Sequence, residues 1–417
     1  MNIFMIGGGG REHALIWKLS QSRKVDKIWC APGNGGIAAL AECVPLKATD
    51  IPGLVEFARK NRPDLVFVAP DDPLALGLVD ELEAIGIRAF GPHKNAAVIE
   101  ASKSFAKDLM RKYHIPTAAY AVFDDPASAR AYIEQQGAPI VVKADGLALG
   151  KGVTVAMTVE EAVAASDAAF GGAFGKAGAR VVIEEYMTGV EASVLCFVDG
   201  EHWIAMPAAQ DHKPVFDGNR GPNTGGMGSF APSRAYTKEI AEITERTIIE
   251  PTVRAMAAEG RPFKGVLYFG LMLTAAGPRV VEYNARFGDP ETQSLMPLLK
   301  SDLVPILEAC IDGTLDRISV EWYDGACACV VLASGGYPGS YKKGLPIHGL
   351  GKLPRDVAAF HAGTARADGA MVTAGGRVLG ITARGETLPD ALAHAYEGVR
   401  CVSFDGMHYR TDIGKIG

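Results

Sequence analysis

Three residues in the stretch 280–291, VVEYNARFGDPE, carry types that suit phosphate and metal chemistry: Glu282, Asn284 and Arg286. Val280 and Val281 read as the end of a buried strand. Side chains alternate across a strand, so these three would share one wall. A carboxylate and an amide oxygen suit Mg²⁺, a hard cation that often shares its oxygens with substrate phosphates. A guanidinium there can hold phosphate oxygens or spread the charge of a transferring phosphoryl group. Phe287-Gly288-Asp289-Pro290 then turns the chain sharply. A plain strand end with a surface ion pair would also fit this stretch alone.

More cations and glycine turns lie upstream. A helix is expected over 102–113, capped by Ser102, with Lys103 and Lys107 on one face. Lys143 ends the apolar strand 140–143, where a lysine needs an anionic partner. The loop 144–153, ADGLALGKGV, is a glycine hairpin, and GxxxxGK[ST] is absent from it. Its Gly150, Lys151 and Gly152 would either fold over phosphates as a lid or make an ordinary hairpin. The strand 180–185 runs into Glu184, Glu185 and Tyr186, and a second strand covers 192–198. A nucleotide hinge is one expectation there, with backbone near Tyr186 reading an adenine and Glu191 taking ribose hydroxyls; a solvated acidic turn is the other. Asp211, in Gln210-Asp211-His212-Lys213, would hold an ammonium group. The stretch 217–228, DGNRGPNTGGMG, has five glycines and reads as a long ordered loop. His202 and His212 lack the further ligands of a zinc site. In this order the features suggest an ATP–Mg²⁺ enzyme without a P-loop.

The elements that must position these residues begin with a βαβαβαβ order over the first hundred residues. Strands are expected at 2–6, 27–30, 65–69 and 88–90, with helices opening at 11 and covering 54–60 and 76–85. That order predicts a doubly wound parallel sheet. Three loops fall on its one rim: Gly7-Gly8-Gly9-Gly10, then 31–36 with Asn34, Gly35 and Gly36, then 70–74 with Asp71 and Pro73. Ligands collect on that rim in open parallel sheets. The glycine turn before a helix N-terminus is a phosphate or sugar-phosphate site, a tight turn that packs the first unit, or a loose form of a dinucleotide fingerprint. His13 follows in the first helical turn, for packing or for chemistry. Further helices are expected at 127–136, 160–169, 237–259 (interrupted near Pro251) and 301–310. The strand 265–273 turns at 275–277 into the strand of Glu282. From 326 onward the pattern is β-rich, with strands at 326–333, 358–360 and 377–383 and a helix at 388–399.

Composition bounds the rest. A chain of 417 residues predicts about three domains. A net charge of −6 offers no nucleic-acid footprint. The seven cysteines form no CxxC, which fits reduced thiols, and Cys327 and Cys329 read as core. There is no basic leader with an apolar stretch behind it, and no apolar run reaches the ~18 residues of a membrane span. The chain is therefore expected to be cytoplasmic, with no membrane or nucleic-acid partner.

Motifs along nearly the whole chain resemble one family, the glycinamide ribonucleotide synthetases (phosphoribosylamine–glycine ligases) of the ATP-grasp superfamily. They are GGGGREHAL at 7–15, APGNGG at 31–36, KADGLALGKGV at 143–153, EASVLCFVDG at 191–200, QDHKPVFDGNRGPNTGGMG at 210–228, EYNARFGDPETQ at 282–293, FHAGT at 360–364 and GGRVLGITARG at 375–385. The resemblance implies an α/β ATP-grasp fold in three domains. Residues 1–102 would form the N-terminal, Rossmann-like ribosyl phosphate domain and 103–325 the ATP-grasp domain, with a lid subdomain at about 125–190. Residues 326–417 would form a C-terminal β-rich α+β domain. It also implies that ATP phosphorylates glycine to glycyl phosphate, which the amine of 5-phosphoribosylamine attacks. Lys103, Lys143 and the lid residues Gly150, Lys151 and Gly152 would hold phosphates, Glu184 and the Tyr186 backbone adenine, and Glu191 ribose. Glu282 and Asn284 would bind Mg²⁺ or Mn²⁺. Arg286 would stabilise the transfer, with Asp211 and Lys213 positioning glycine. Gly9, Gly10, Asn34, Gly35, Gly36, Asp71 and Pro73 would line the ribosyl phosphate side. Asp71 stands where the family usually has the longer glutamate, Asn219 where aspartate is usual, and Leu149 where alanine is usual. A monomer is expected, a dimer being the alternative, with no downstream enzyme fused after Gly417. Two rivals remain within this reading: an ATP-grasp ligase for another acid or amine, and a non-catalytic ATP-binding regulatory protein. A dinucleotide oxidoreductase is the third.

Overall fold

Short apolar strands ending in glycine turns build the first layer of the computed structural model, which describes residues 1–148 and 152–415. Its five parallel strands lie in the order Glu42–Cys43, Lys27–Pro32, Asn2–Gly7, Leu65–Val68, Ala89–Phe90. Alternation along the central strand sends Phe4 and Ile6 into one hydrophobic core and Ile3 and Met5 into another, as expected of a sheet covered on both faces. The order reverses beside Asn2–Gly7, so the glycine turn and the helix Gly10–Leu19 sit at the topological switch point. The segment 70–74, expected as a loop, is instead the start of a helix, Asp71–Leu76. Asp71 and Asp72 suit the positive end of its dipole and Pro73 is tolerated in a first turn. Gly77, at φ +94°, separates it from the helix Leu78–Ala84.

The lid has a core of its own. Strands Tyr120–Phe123, Val181–Glu185, Ile140–Ala144 and Val153–Ala156 pair antiparallel in that order. Helices Pro126–Gln136 and Val159–Ala168 cover one face, burying Ala129, Ile133 and Ala162 against Ile140, Val142, Val181 and Ile183.

The central sheet is antiparallel, in the order Trp203–Ala205, Val190–Asp199, Lys264–Thr274, Gly277–Asn284. Gly270 faces Glu282 and Leu271 faces Val280, so Val281 is the extra residue of a bulge. The helical stretch after Thr237 is not broken at Pro251. A π-helical segment, Glu245–Ile249, joins Lys238–Thr244 to Glu250–Ala258. The proline lies at the start of the last piece, directly after the π-helical turn.

The last sheet runs Gln210–Asp211, Gly228–Ala231, Ala326–Ala333, Arg377–Gly385, Val357–His361, all antiparallel, with the helix Leu388–Cys401 against it. Two of its strands come from the middle of the chain, so the C-terminal block is welded to the segment that carries Asp211. The supposed long loop at 217–228 contains a hairpin strand: Pro214–Phe216 pairs with Arg220–Asn223. Its turn holds Gly218 and Asn219 at φ +70° and +55°, left-handed positions that these residue types tolerate. Among the described residues, no helix is long and apolar enough to cross a membrane.

Candidate active site

A cavity of about 1120 Å³ lies where the first layer, the lid, the central sheet and the C-terminal block converge. Glu282 and Asn284, two apart on the strand Gly277–Asn284, and Arg286, just past its end, share its wall. Burial alone would raise the Glu282 carboxyl, but Lys213, Lys143, Lys103 and Arg286 hold it down at about 2. It is therefore a carboxylate at any working pH. The Asn284 Nδ2 donates to the Tyr283 carbonyl at 2.8 Å, which leaves the amide oxygen as the group to face a cation. An ionised carboxylate beside an amide oxygen fits Mg²⁺ or Mn²⁺, completed by phosphate oxygens and water.

The bulge at Val281 has a local use. It presents the Val281 carbonyl to Lys143 Nζ at 3.0 Å. Lys143 also meets Glu184 Oε1 at 2.9 Å, and Lys107 meets Glu184 Oε2 at 2.8 Å, all three nearly inaccessible. Burial would raise the Glu184 carboxyl, yet Lys143 and Lys107 hold it below its ordinary value. Burial pulls Lys107 down to about 8 against the attraction of Glu184. The Glu184 carboxylate, which lines the cavity, is thus the counter-charge of a lysine pair, because two buried ammonium groups need one. Tyr186, exposed, and Glu191 line the cavity as expected of a hinge.

Lys103 Nζ donates to the Gly146 carbonyl at 3.0 Å, and burial is the main cause lowering its pKa. Asp145 caps the same helix through Ser104 N–H at 2.6 Å, tying the lid strand to the lysine's helix. Gly152 lines the cavity; a Cβ on it would stand 2.7 Å from the Ala148 Cβ. Gly150 and Lys151, with Leu149, lie outside the described residues.

Asp211 is in the cavity wall. Burial and then Glu291 push its carboxyl well up, against Lys213 and Arg377. Glu291 Oε1 accepts from Ser193 Oγ and Tyr268 OH, each at 3.0 Å. Two acids that act on one another electrostatically would together suit an ammonium group. Arg377 arrives from the C-terminal sheet, donating to the Gly225 carbonyl at 2.7 Å and the Asp289 carbonyl at 2.8 Å and pairing with Asp289 Oδ2 at 3.2 Å.

The first-layer rim divides. Asp71 and Arg11 line the cavity. Gly9 is not among its lining residues: its N–H donates to Glu12 Oε2 at 2.6 Å, and a Cβ on it would lie 3.5 Å from Oδ2 of Asp289, which is in the wall. Gly10, Asn34, Gly35, Gly36 and Pro73 do not line it. The Asn34 Nδ2 donates to the Gly8 and His361 carbonyls, at 2.9 and 2.7 Å, and its Oδ1 accepts from Gly36 N–H and Ile37 N–H, each at 2.9 Å. With donors and acceptor engaged, Asn34 staples the rim to the C-terminal block. A Cβ on Gly36 would stand 2.2 Å from the His361 ring, one on Gly35 2.6 Å from Met371 Sδ, and one on Gly10 2.5 Å from Gln293 Nε2. Pro73 is buried within its helix. His13 packs: its Nδ1 accepts the His361 N–H at 2.7 Å.

Sequence reasoning missed Glu100, Glu291 and Arg377 as site residues. Glu291 stood in the FGDPETQ motif and Arg377 in GGRVLGITARG, whereas Glu100 had no local signal.

These features define an ATP-grasp ligase. Residues 1–100, 101–292 and 327–416 match, in turn, the N domain, the ATP-grasp (A) domain and the C domain of phosphoribosylglycinamide synthetase. The chain is 53% identical over 416 residues to the phosphoribosylamine–glycine ligase of Brucella melitensis biotype 1, covering 99% of this chain and 97% of that one. The crystal structure of phosphoribosylamine–glycine ligase from Thermotoga maritima superimposes with a TM-score of 0.87 at 34% identity, covering 99% of this chain and 100% of that one. A biotin carboxylase from Campylobacter jejuni, crystallised as a β,γ-ATP complex, shares the fold alone, at TM-score 0.73, 14% identity, and coverage of 98% and 92%. The chain belongs to the phosphoribosylamine–glycine ligase family.

Proposed function

We propose that this protein ligates glycine to 5-phosphoribosylamine at the expense of ATP, giving glycinamide ribonucleotide, ADP and phosphate in purine biosynthesis. One observation carries the assignment of roles: the Glu282–Asn284–Arg286 wall shares a cavity with the acids Asp211 and Glu291. That puts a phosphoryl-transfer wall beside a pocket for an amino acid's ammonium group. A carboxylate is a poor electrophile, so its oxygen first takes the terminal phosphoryl group. The bond to the β-phosphate oxygen breaks and ADP leaves. The sugar amine then attacks the carbonyl carbon of glycyl phosphate, phosphate departs and the nitrogen loses a proton.

Asp211 and Glu291 hold the glycine ammonium, and Lys213 sets its carboxylate near Arg286. Arg286 spreads charge on the transferring group. Lys103, Lys143 and the lid's Lys151 and glycines Gly150 and Gly152 hold the phosphates. Backbone about Tyr186 reads adenine, and Glu191 takes ribose. Glu282 and Asn284 would hold Mg²⁺, which when bound would supply Lewis-acid charge neutralisation on the phosphates. Asp71 faces the ribosyl phosphate, with Gly9, Gly10, Asn34, Gly35, Gly36 and Pro73 shaping the rim behind it. Lid closure keeps water from the acyl phosphate.

The described cysteines are all free thiols, which supports a reducing, cytoplasmic setting. We read the enzyme as a monomer acting on small molecules alone, which sedimentation checks. The deciding assay is ADP release with ATP, Mg²⁺, glycine and phosphoribosylamine generated in situ, omitting each in turn. Turnover that needs both glycine and the sugar amine is the expected result. Turnover with another acid or amine in their place would keep the ATP-grasp chemistry and overturn the substrates.

A further inference from the structure

Arg286 is held by a carboxylate from a different layer of the protein. Glu100 lies at the end of the helix Lys94–Ala101 and is almost wholly buried. Its Oε1 meets Arg286 Nη2 at 2.9 Å, while its Oε2 accepts the Ala285 N–H at 2.7 Å. One carboxylate thus grips the guanidinium and the backbone immediately before it. Arg286 Nη1 donates to the Phe287 carbonyl at 3.2 Å. The Arg286 Nε is buried with no partner among the described residues, so the guanidinium still has a donor to offer.

We propose that Glu100 is a positioning residue for phosphoryl transfer: it fixes the Arg286 guanidinium relative to Glu282 and Asn284 without itself touching substrate or metal. This rests on the role given to Arg286 above. A buried ion pair is a weak device for stability alone, since apolar side chains of like size often do as well. The geometry points to orientation instead. Ala285, which Glu100 holds by its N–H, lies between Asn284 and Arg286, so the grip sets where the strand exits as well as where the guanidinium lies. Asp71 and Arg11 also act on Glu100, so its surroundings are charged and not core-like. Lys103 follows three residues after Glu100, past the Ser102 cap. One short stretch of chain therefore carries both the clamp on Arg286 and a phosphate lysine.

The test uses the purified full chain with ATP, Mg²⁺, glycine and phosphoribosylamine. Glu100→Gln keeps an acceptor for the Ala285 N–H and removes the charge that holds Arg286. It should lower kcat by about 10²-fold, the cost of a misplaced catalytic group. KM for ATP and glycine should stay within about threefold, because ground-state binding is not what is lost. Arg286→Ala should be slow by itself, and the double variant E100Q/R286A no slower. Guanidinium added below denaturing concentrations should restore part of the rate of R286A and none of that of the double variant, whose carboxylate clamp is gone. If E100Q does not fold, the double variant decides, because it strands no buried charge. E100Q at wild-type kcat with R286A slow would overturn the role of Glu100 alone. Guanidinium rescue of the double variant, or effects that multiply, would overturn it too. R286A at wild-type kcat would remove the Arg286 role and this inference with it.

Discussion

Lys213 Nζ stands between two carboxylates, 3.6 Å from Glu282 Oε1 and 3.7 Å from Glu191 Oε2. It joins the end of the cavity proposed for the metal to the end proposed for ribose. Glu191 and Glu282, in that order, raise its pKa well above the usual lysine value, so it is always charged. Lys213→Met should leave the two carboxylates without their shared cation. The nucleotide-free protein should then bind Mn²⁺ more tightly, by at least about tenfold, given the Coulomb attraction at this range. Turnover should fall at the same time, because glycine loses a positioning charge. Titration of Mn²⁺ followed by its paramagnetic signal reads the first effect. Unchanged Mn²⁺ affinity would show that Lys213 does not neutralise Glu282.

The Lys107–Glu184–Lys143 cluster predicts a large stability effect at the residue that the family resemblance assigns to adenine. Glu184→Gln leaves two ammonium groups buried with no counter-charge. Removing one partner of a buried pair costs about 3–5 kcal/mol. Urea denaturation should show a loss of that order, and KM for ATP should rise because Lys143 no longer holds its place beside Val281. A variant of full stability with an ATP defect would instead return Glu184 to the nucleotide itself.

Much of this site was legible in the sequence because strand alternation is local. Glu282, Asn284 and Arg286 could be set on one wall from spacing alone, and the glycine turn at Gly7–Gly10 could be set at a sheet's rim from the βαβ order. Two local misreadings share a cause. Asp71-Asp72-Pro73 and Asp217-Gly218-Asn219 are turn-forming in composition, but acids and a proline also suit a helix's first turn, and Gly-Asn also makes a hairpin. The residues missed are non-local. Glu100 sits in a helix with no local sign that its carboxylate would meet Arg286, 186 positions along the chain. Arg377 begins a strand whose neighbours in sequence say nothing of Asp289, which it meets from 88 residues away. Asn34 failed differently: its type suits a ligand as well as a staple, and only the carbonyl of His361 decides between them.

Arg410 predicts an effect of the chain's last residues on the amino-acid pocket. It is 1% exposed and pairs with Asp412 through Nε at 2.7 Å and Nη2 at 2.8 Å. It also donates to the Pro214 carbonyl and to Asn219 Oδ1, each at 3.0 Å, and Asp412 Oδ2 accepts the Gly218 N–H at 2.8 Å. The pair therefore pins the hairpin that directly follows Asp211 and Lys213. Arg410→Ala should cost about 3 kcal/mol, as for a broken buried pair. KM for glycine should rise while KM for ATP holds, since the hairpin does not carry the phosphate lysines. Equal rises in both constants would mean a general loosening and not a displaced hairpin.

Glu100 also predicts a pH dependence of stability. Burial pushes its carboxyl up to about 7, with Asp71 adding to the rise and Arg286, the Ala285 N–H and Arg11 opposing it. The folded state thus holds this proton more tightly than the unfolded chain does. Its contribution to stability is fully present below the ordinary glutamate range and is lost as pH rises through about 7. The loss amounts to about 3 kcal/mol between the two titrations. Glu100→Gln cannot titrate, so it lacks that decline. Whatever its stability at about pH 5, the variant should gain on the wild type as pH rises to about 8 and then run parallel to it. Thermal melts of both proteins across that range measure the difference directly. Curves that stay parallel throughout would mean that Arg286 keeps Glu100 ionised at all these pH values, and that the ion pair outweighs the cost of burial.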